Sequence, residues 1–370
     1  MRVVIFGLTV SSSWGNGHAT LWRSLLGAML RRGYTVTFFE KDVPYYASTR
    51  DLWELPAGGS LRLYGSFEEI RSEAKRVLHE ADLAIVTSYC PDGPEASELV
   101  LECANGVRAF YDMDTPVTLD SLETGAEVGY LPKQGLSGFD LVLSFTGGRA
   151  LEELRSRLGA RVVAPLYGSV NPLAHHPVEA VEGFRAELSY LGTYAEDRQA
   201  TLERLFIQPA QQRPERRFLI GGAQYPESFP WTENIFFTGH LEPAQHPAFF
   251  CSGRATLNVT RRAMAEYGFC PSGRLFEAAA CGVPLLTDGW EGLDEFFTPG
   301  TEILRVDTAE EVLNTLSLSD TELGRVAAAA RERVLREHTA DCRVRDLEQI
   351  LEQVRSHAEP AIEPAAAAQA

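Results

Sequence analysis

A short segment in the second half of the chain carries residues whose types and spacing suit binding of a diphosphate and a sugar. Ser272 can cap a helix, Gly273 leaves backbone N–H groups uncovered, and Arg274 adds a cation to the first turn. An open helix N-terminus beside an arginine is a good site for a diphosphate. Glu277 stands one turn further along, where its carboxylate can accept hydrogen bonds from two hydroxyl groups. The segment therefore suits a nucleoside diphosphate with its ribose, or else it is a capped helix with an incidental surface glutamate.

A second group of candidate residues follows the first predicted strand, residues 1–8. There a glycine- and serine-rich loop leads to His18 at the start of a predicted helix. In a parallel α/β sheet such a loop lies in the ligand crevice at the carboxyl edge of the strands. A histidine in that crevice can accept a proton near neutral pH. Alternatively, His18 only starts the helix, or it contacts a ligand without proton transfer. The cleft residues that the loop itself contributes are Trp14, Gly15, Asn16 and Gly17.

Polar side chains also follow later predicted strands. Asp112 and Asp114 come after the strand at 107–111, although Asp114 could instead cap the turn before Pro116. Because the carboxyl ends of parallel strands meet at one edge of a sheet, such residues are expected to face the same crevices. In the second half of the chain the residues in this position are Gly192, Thr193, Tyr194, Arg198, Asn258, Arg261, Asp288 and Trp290.

The sequence predicts neither a metal site nor a disulfide. The 6 cysteines form no C-x-x-C pair and no Cys/His zinc spacing. His175 and His176 are adjacent but have no third ligand at metal spacing, so they are expected at the surface. Buried free thiols fit a reducing compartment. With no signal-peptide pattern, and no apolar run near the roughly 20 residues that cross a membrane, a cytoplasmic protein is predicted.

The composition is that of an ordinary globular protein, with 45% hydrophobic and 23% charged residues. At 370 residues the chain is long enough for two hydrophobic cores. Its net charge of −17 argues against nucleic acid or an anionic membrane as the main partner. The sequence thus points to a soluble enzyme or binding protein for a small, phosphorylated ligand.

Alternating strand and helix patterns predict two doubly wound α/β domains, residues 1–168 and 187–338. The connecting residues 169–186 contain two prolines and no clean periodicity, so they are interpreted as a linker. A closing helix is predicted over 339–357. The alanine- and proline-rich tail 358–370 is of low complexity and is expected to be disordered.

Two segments resemble a known family. The segment RLFEAAACGVPLLTD, which includes Glu277, resembles the donor-binding segment of GT-B glycosyltransferases, and residues 188–316 resemble the CgeB-like (spore-maturation-type) glycosyltransferases. The segment GHATLWRSLLGAMLRRGYTVTF, which begins at Gly17, resembles the start of inverting GT-B enzymes. The resemblance implies two Rossmann-like domains that face a central cleft, with the last helix crossing back to the first domain. It also implies a hexosyltransferase-type enzyme of class EC 2.4, which moves a sugar from a nucleotide-diphosphate sugar to an unidentified acceptor.

The same resemblance assigns the donor to the second domain. It implies that Glu277 holds the ribose and that the diphosphate lies near the helix start at 272–274. Arg198 and Arg261 would supply positive charge, so that neither a metal nor another cofactor is needed for the departing diphosphate. The residues expected around the donor are Gly192, Thr193, Tyr194, Arg198, Asn258, Arg261, Ser272, Gly273, Arg274, Glu277, Asp288 and Trp290.

On the acceptor side, the resemblance implies that His18 is the general base and that Asp112 or Asp114 orients it. Many retaining GT-B enzymes have a second glutamate eight residues before the ribose-binding one. Phe269 stands in that position and Glu266 is out of register, so inversion is predicted. The alternatives are a GT-B-fold sugar-nucleotide 2-epimerase, and a non-catalytic sugar-nucleotide-binding or coat-assembly protein.

Overall fold

A seven-stranded parallel sheet forms the core of the first half of the protein, in a computed structural model that describes residues 1–358. Its strands are β1 (Arg2–Gly7), β2 (Thr35–Lys41), β3 (Gly59–Tyr64), β4 (Leu83–Thr87), β5 (Val107–Asp112), β6 (Leu141–Ser144) and β7 (Val163–Pro165). Their spatial order is β3-β2-β1-β4-β5-β6-β7, and all neighbouring pairs are parallel. The order reverses between β1 and β4, which opens a crevice at the carboxyl ends of these two strands.

Helices cover both faces of this sheet, so its central strands are apolar runs, whereas β3 at the edge alternates. The helices are α1 (Gly17–Arg31), α2 (Pro44–Ala47), α3 (Phe67–His79), α4 (Gly93–Cys103), α5 (Thr115–Glu123) and α6 (Arg149–Leu158). Helix α1 begins where the Asn16 side chain accepts a hydrogen bond from the backbone N–H of His18. It ends just before Gly33, whose φ of 80° is left-handed. The cap fixes the place of His18 at the first turn.

The second half of the protein repeats the pattern with a six-stranded sheet. Its strands are β8 (Ala186–Leu191), β9 (Phe218–Gly221), β10 (Ile235–Phe237), β11 (Gly253–Asn258), β12 (Leu285–Thr287) and β13 (Leu304–Arg305). The spatial order is β10-β9-β8-β11-β12-β13, again with parallel neighbours. The order reverses between β8 and β11, so the loops after these two strands meet at a second crevice.

The helices of the second half are α7 (Gln199–Leu202), α8 (Gln208–Gln212), α9 (His246–Ser252), α10 (Arg262–Tyr267), α11 (Gly273–Ala280), α12 (Leu293–Phe296), α13 (Ala309–Leu316), α14 (Asp320–Glu337) and α15 (Ala340–Ala358). Residues 196–212 do not form one regular helix. A 3-10 turn at Glu196–Arg198, α7, a π-helical turn at Glu203–Ile207 and α8 follow one another there. Arg198 is the last residue of the 3-10 turn, which is tighter than a regular α-helix.

The last helix, α15, packs on α1 of the first half. Leu347 of α15 and Trp22 of α1 belong to one buried apolar cluster. Glu348 adds hydrogen bonds from the guanidinium of Arg32, at 2.7 Å, and from the hydroxyl of Tyr34, at 2.5 Å. The chain thus crosses between the two sheets twice, once at 166–185 and once at 338–340. The two crossings are joined by hydrogen bonds between the backbones of Val170 and residues 338–340.

The predicted fold class, two Rossmann-like doubly wound α/β domains, is confirmed. The sequence did not predict the short elements at the edges of the sheets or just after a strand, which are α2, β3, α5, α10, α12 and β13. Within residues 1–358, no helix is long and apolar enough to cross a membrane. The tail predicted to be disordered lies outside the described residues, apart from Ala358.

Candidate active site

A cavity of about 540 Å³ lies where the carboxyl edges of the two sheets face each other. The predicted residues that line it from the first domain are Gly15, Asn16, Gly17, His18 and Asp114. Those that line it from the second domain are Gly192, Thr193, Tyr194, Arg198, Arg261, Ser272, Gly273, Arg274 and Glu277. A larger hollow of about 840 Å³ lies at the amino edge of the first sheet and contains none of the predicted residues.

The loop between β1 and α1 is held in place by a buried carboxylate, Glu40, at the end of β2. Its oxygens accept hydrogen bonds from Thr9 Oγ1 at 2.7 Å, Val10 N at 2.7 Å and Ser11 N at 3.0 Å. Charge-assisted bonds to backbone N–H groups are among the stronger hydrogen bonds in proteins. They make a glycine- and serine-rich loop rigid just before His18. The sequence reading missed Glu40, although a carboxylate ending an apolar strand was a signal for it.

Asp114 orients His18. The Nε2 atom of His18 lies 2.5 Å from Oδ2 of Asp114. A carboxylate only accepts, so Nε2 donates in this contact. Nδ1 is buried and has no hydrogen-bond partner in the described chain. The structure therefore brings together two of the residues predicted from the sequence, and of the two candidate aspartates only Asp114 touches the imidazole.

Asp112 lies behind this pair and does not line the cavity. Its Oδ1 accepts a hydrogen bond from the backbone N–H of Asp114 at 3.1 Å, and its Oδ2 has no partner among the described residues. Burial raises the pKa of the Asp112 carboxyl to about 7. Asp112 thus shapes the turn that presents Asp114.

Tyr89, which the sequence reading missed, forms a wall beside His18. Its ring meets the His18 ring edge-on, with 5.8 Å between the centroids, and it also contacts the ring of Tyr130 at 4.9 Å. The backbone of Tyr89 has a φ of 60°, which is unusual for a residue other than glycine and typical of functional sites. The available signal was its position directly after β4, at the same sheet edge as His18.

The second domain presents guanidinium groups and a helix start to the same cavity. The Ser272 hydroxyl caps α11 by accepting a bond from Arg274 N at 3.4 Å. The Nε atoms of Arg198 and Arg274 are buried and have no protein partner within residues 1–358. Arg198 donates through Nη2 to the carbonyl of Thr193, while Arg261 pairs with Asp197 at 3.2 Å. Buried N–H groups without partners, beside a helix N-terminus, make a site for an anion.

Two glycines allow the loops after β8 and β9 to approach each other closely. A Cβ atom at Gly222 would lie 2.0 Å from the carbonyl oxygen of Gly192, and the φ of Gly222 is 147°. The hydroxyl of Tyr225 donates to the same carbonyl at 3.0 Å. Gly192 is thereby fixed beside Thr193 and Tyr194 on the cavity wall.

Glu277 lies at the inner end of the cavity, with only 7% of its surface exposed. No hydrogen-bond donor of the described chain reaches its carboxylate, and two imidazoles face it instead. The Nε2 atom of His175 and the Nδ1 atom of His246 lie 3.9 and 3.8 Å from Oε2. Burial acts to raise the pKa of the carboxyl, but the histidines and Arg274 outweigh it and hold the pKa at about 2. Glu277 is therefore ionised at neutral pH.

The prediction that the His175–His176 pair lies at the surface is wrong for His175. Only 3% of His175 is exposed, whereas His176 is exposed. The linker folds back over α11, and the backbone N–H of His175 donates to the carbonyl of Asn171, so the side chain turns inward. Sequence periodicity carries no information on how a linker folds. His246 was missed altogether, and its position at the start of a helix gave no distinguishing signal.

Two predicted donor residues at the ends of strands turn into the protein and do not line the cavity. The carboxylate of Asp288 accepts hydrogen bonds from the backbone N–H and the hydroxyl of Thr260, both at 3.0 Å. The amide of Asn258 donates to Thr287 Oγ1 at 3.2 Å. These side chains position the loop that carries Arg261 rather than face the space where a ligand would lie.

Two predicted tryptophans also lie beside the cavity rather than on its wall. Trp14 packs on the ring of His240 in the opposite domain, with 4.3 Å between centroids. Trp290 packs on Phe296 at 5.9 Å. Trp14 thus contributes to the contact between the two domains.

No carboxylate takes the position eight residues before Glu277. Phe269 occupies it with a φ of 46°, and its carbonyl accepts a bond from the backbone N–H of Gly147 in the first domain at 3.0 Å. Glu266 points away from the cavity, is 63% exposed in its side chain and faces Arg262 at 3.9 Å. Phe269 is therefore part of the contact between domains.

Comparisons with known proteins agree with this arrangement. Residues 198–349 match the family model described as "Glycosyl transferase-like". Among solved structures, a sucrose-phosphate synthase from Thermosynechococcus elongatus is similar with a TM-score of 0.71 and 14% identity, over 96% of this chain and 100% of that one. The chain has the GT-B fold. The family match covers less than half of the chain.

Two further GT-B structures extend the comparison. HepE from Anabaena, described in complex with UDP and glucose, has a TM-score of 0.64 at 11% identity, over 95% of this chain and 100% of that one. An alpha-glucosyltransferase described in complex with UDP has a TM-score of 0.66 at 10% identity, over the same shares. At such identities the likeness concerns the fold alone. A search of curated protein sequences gave no match.

Proposed function

We propose that the protein is a glycosyltransferase that moves a sugar from a nucleotide-diphosphate donor to an acceptor hydroxyl. The observation that carries this proposal is the cavity shared by the two domains. It holds an oriented imidazole, His18 with Asp114, on one side. On the other side it holds a capped helix start with Arg274 and the ionised Glu277. These are the groups that a base-assisted displacement from a sugar nucleotide needs.

In this proposal the donor lies on the second domain. Its diphosphate binds at the N-terminus of α11, between Arg198 and Arg274, where guanidinium N–H groups without protein partners are available among the described residues. The ribose hydroxyls donate to the carboxylate of Glu277. The printed ligands of two similar structures, UDP with HepE and with the alpha-glucosyltransferase, support UDP as the first nucleotide to test.

The reaction is proposed to be a single displacement that inverts the anomeric centre. His18, which lines the cavity and is held by Asp114, accepts the proton of the acceptor hydroxyl. The acceptor oxygen forms its bond to the anomeric carbon while the bond to the diphosphate oxygen breaks and the nucleoside diphosphate leaves with that electron pair. The arginines and the start of α11 neutralise the developing charge, so the transfer itself needs no metal.

The acceptor is proposed to enter along the loop that ends in Asn16 and Gly17, beneath the ring of Tyr89. The net charge of −17 does not favour nucleic acid in this place, although one alpha-glucosyltransferase of similar fold is described in complex with DNA.

The similarity of residues 188–316 supports placing the chain near the CgeB-like enzymes. Free cysteines throughout the described chain support a cytoplasmic location.

A thermal-shift panel of UDP-, GDP-, ADP- and dTDP-sugars, run in EDTA, tests the proposal. One donor at about 100-fold its dissociation constant should stabilise the fold by roughly 2.7 kcal/mol. Product analysis with that donor should then show transfer to an added hydroxyl acceptor, or slow hydrolysis without one. Conversion of the donor without an acceptor would favour a sugar-nucleotide 2-epimerase, and binding without any turnover a silent binding protein. Absence of a shift with every donor would overturn the proposal.

A further inference from the structure

The side chains of His175, His246 and Glu277 form a buried cluster behind the cavity. One nitrogen of each histidine and one carboxylate oxygen all lie within 4.8 Å of one another. Each of the three residues is more than nine-tenths buried, with exposures of 3%, 8% and 7%. They come from the linker, from the start of α9 and from α11, so the fold brings together residues 175, 246 and 277 from separate parts of the chain.

The hydrogen bonds around this cluster leave it short of a positive charge. His246 Nε2 lies 3.3 Å from the carbonyl oxygen of Leu241, which can only accept, so Nε2 carries the proton. The other ring nitrogen, Nδ1, faces the carboxylate of Glu277 at 3.8 Å. His175 has no hydrogen-bond partner on either nitrogen in the described chain, and its Nε2 faces the same oxygen. Two imidazole nitrogens and a carboxylate oxygen thus meet at one point.

We propose that His175, His246 and Glu277 bind a divalent transition-metal ion of the zinc class. Two imidazoles and one carboxylate are a donor set that such ions take in proteins. Ligand atoms at roughly 2.1 Å from a tetrahedral zinc lie about 3.4 Å apart. The two separations between an imidazole nitrogen and the carboxylate, 3.8 and 3.9 Å, are close to this value. The two imidazole nitrogens lie within 4.8 Å of each other and have to approach further around an ion.

Two further features fit a metal ligand set. Imidazoles that bind a metal commonly donate their other N–H group to a backbone carbonyl, as His246 does to Leu241. His246 and Glu277 also line the cavity, so an ion can enter from it. A metal ion between the three groups would contact all of them.

A metal ion at this site and the sugar-nucleotide donor would compete for the carboxylate of Glu277. This consequence rests on the proposed function, in which the same carboxylate accepts the ribose hydroxyls. A zinc-class ion would withdraw the carboxylate from the donor and leave the arginines at the diphosphate untouched. The ion therefore acts as an inhibitor rather than as a helper of transfer.

The test begins with zinc alone. The full chain is freed of metal with a chelator, and Zn²⁺ is titrated by calorimetry without nucleotide, with Co²⁺ as a spectroscopic probe. One ion per chain should bind, and the Co²⁺ form should show visible absorption typical of a site with fewer than six ligands. His175→Gln and His246→Gln should each lower the affinity by more than the roughly 10–100-fold lost with an outer-shell partner. Far-UV spectra and melting curves check that both variants fold.

His176→Gln is the matched control, because it removes the adjacent, exposed histidine. It should leave zinc binding unchanged. Zinc binding that survives both His175→Gln and His246→Gln, or absence of stoichiometric binding to the wild type, would overturn the site. UDP binding in EDTA tests the proposed function without the metal, and UDP binding with one equivalent of zinc tests the competition. A metal site that leaves UDP affinity unaltered would overturn the competition alone.

Discussion

The Nε2 atom of His18 lies 2.5 Å from the Oδ2 atom of Asp114, although 96 positions separate the two residues in the sequence. Both lie at the carboxyl edge of the first sheet, His18 in the first turn of α1 and Asp114 in the turn after β5. The pairing fixes the orientation of the imidazole. It also makes the two residues a unit whose members can be tested together.

His18→Ala should lower turnover by roughly 10²–10⁴-fold, the usual share of general base catalysis. Donor affinity should change little, because the donor is proposed to rest on the second domain. Asp114→Asn should cause a similar loss, and the double variant should be little worse than either single one. Steady-state kinetics with the donor found in the thermal-shift panel measure these effects.

The control for this prediction is His176→Ala, which removes an exposed histidine outside the cavity. The anomeric configuration of the product, read by NMR, gives an independent check. Retention of configuration, or near-normal turnover of His18→Ala, would show that His18 is not the base.

Glu277→Gln should weaken UDP binding while the fold stays intact. The substitution keeps the shape of the side chain but removes the charge that accepts the ribose hydrogen bonds, each worth about 1.5–3 kcal/mol when charge-assisted. Calorimetry in EDTA should therefore show a loss of roughly 10-fold or more in affinity. Glu266→Gln, on an exposed carboxylate, should leave the affinity unchanged. Equal affinities of the Glu277 variant and the wild type would refute the placement of the ribose.

The fold could be predicted from sequence because its signals are local. Apolar runs that end in glycine or polar residues mark buried parallel strands, and the rule for the carboxyl edges of such sheets already brings His18 and Asp114 to one crevice. Strand β3 was missed because SLRLY alternates, as the strand at the edge of a sheet does.

The side chains at the site were harder to predict than the loops that carry them. Asp288 follows a strand at the correct edge, yet its carboxylate turns inward to Thr260, and a strand end does not determine that direction. His175 became a neighbour of Glu277 only through the way the linker folds over α11. Both depend on contacts between residues far apart in sequence, which no local pattern encodes.

Transfer should proceed unchanged in EDTA, because guanidinium groups and the start of α11 are proposed to neutralise the diphosphate. Arg274→Gln should then weaken the binding of UDP much more than the binding of uridine, since only UDP carries the diphosphate. Arg262→Gln is the matched control, because that side chain is 74% exposed and faces Glu266. Loss of turnover in EDTA that magnesium or manganese restores would overturn the metal-independent mechanism.

Asp112→Asn should make the protein more stable at pH 8 than the wild type and should flatten its dependence on pH. Burial raises the pKa of the Asp112 carboxyl to about 7, against roughly 3.9 in an unfolded chain. The folded state therefore binds more protons between these two values, and the stability that protonated Asp112 contributes is lost as pH rises through 7.

Asparagine cannot lose that proton, and its Oδ1 can still accept the bond from the backbone N–H of Asp114. Each pKa unit of difference is worth about 1.4 kcal/mol, so the gain of Asp112→Asn at pH 8 should be on the order of a few kcal/mol. Urea unfolding at pH 5 and pH 8 measures it, with Asp120→Asn, on an exposed side chain, as the control. Parallel pH profiles for Asp112→Asn and the wild type would mean that Asp112 is ionised in the folded protein throughout this range. In that case both carboxylates near His18, those of Asp112 and Asp114, would be ionised.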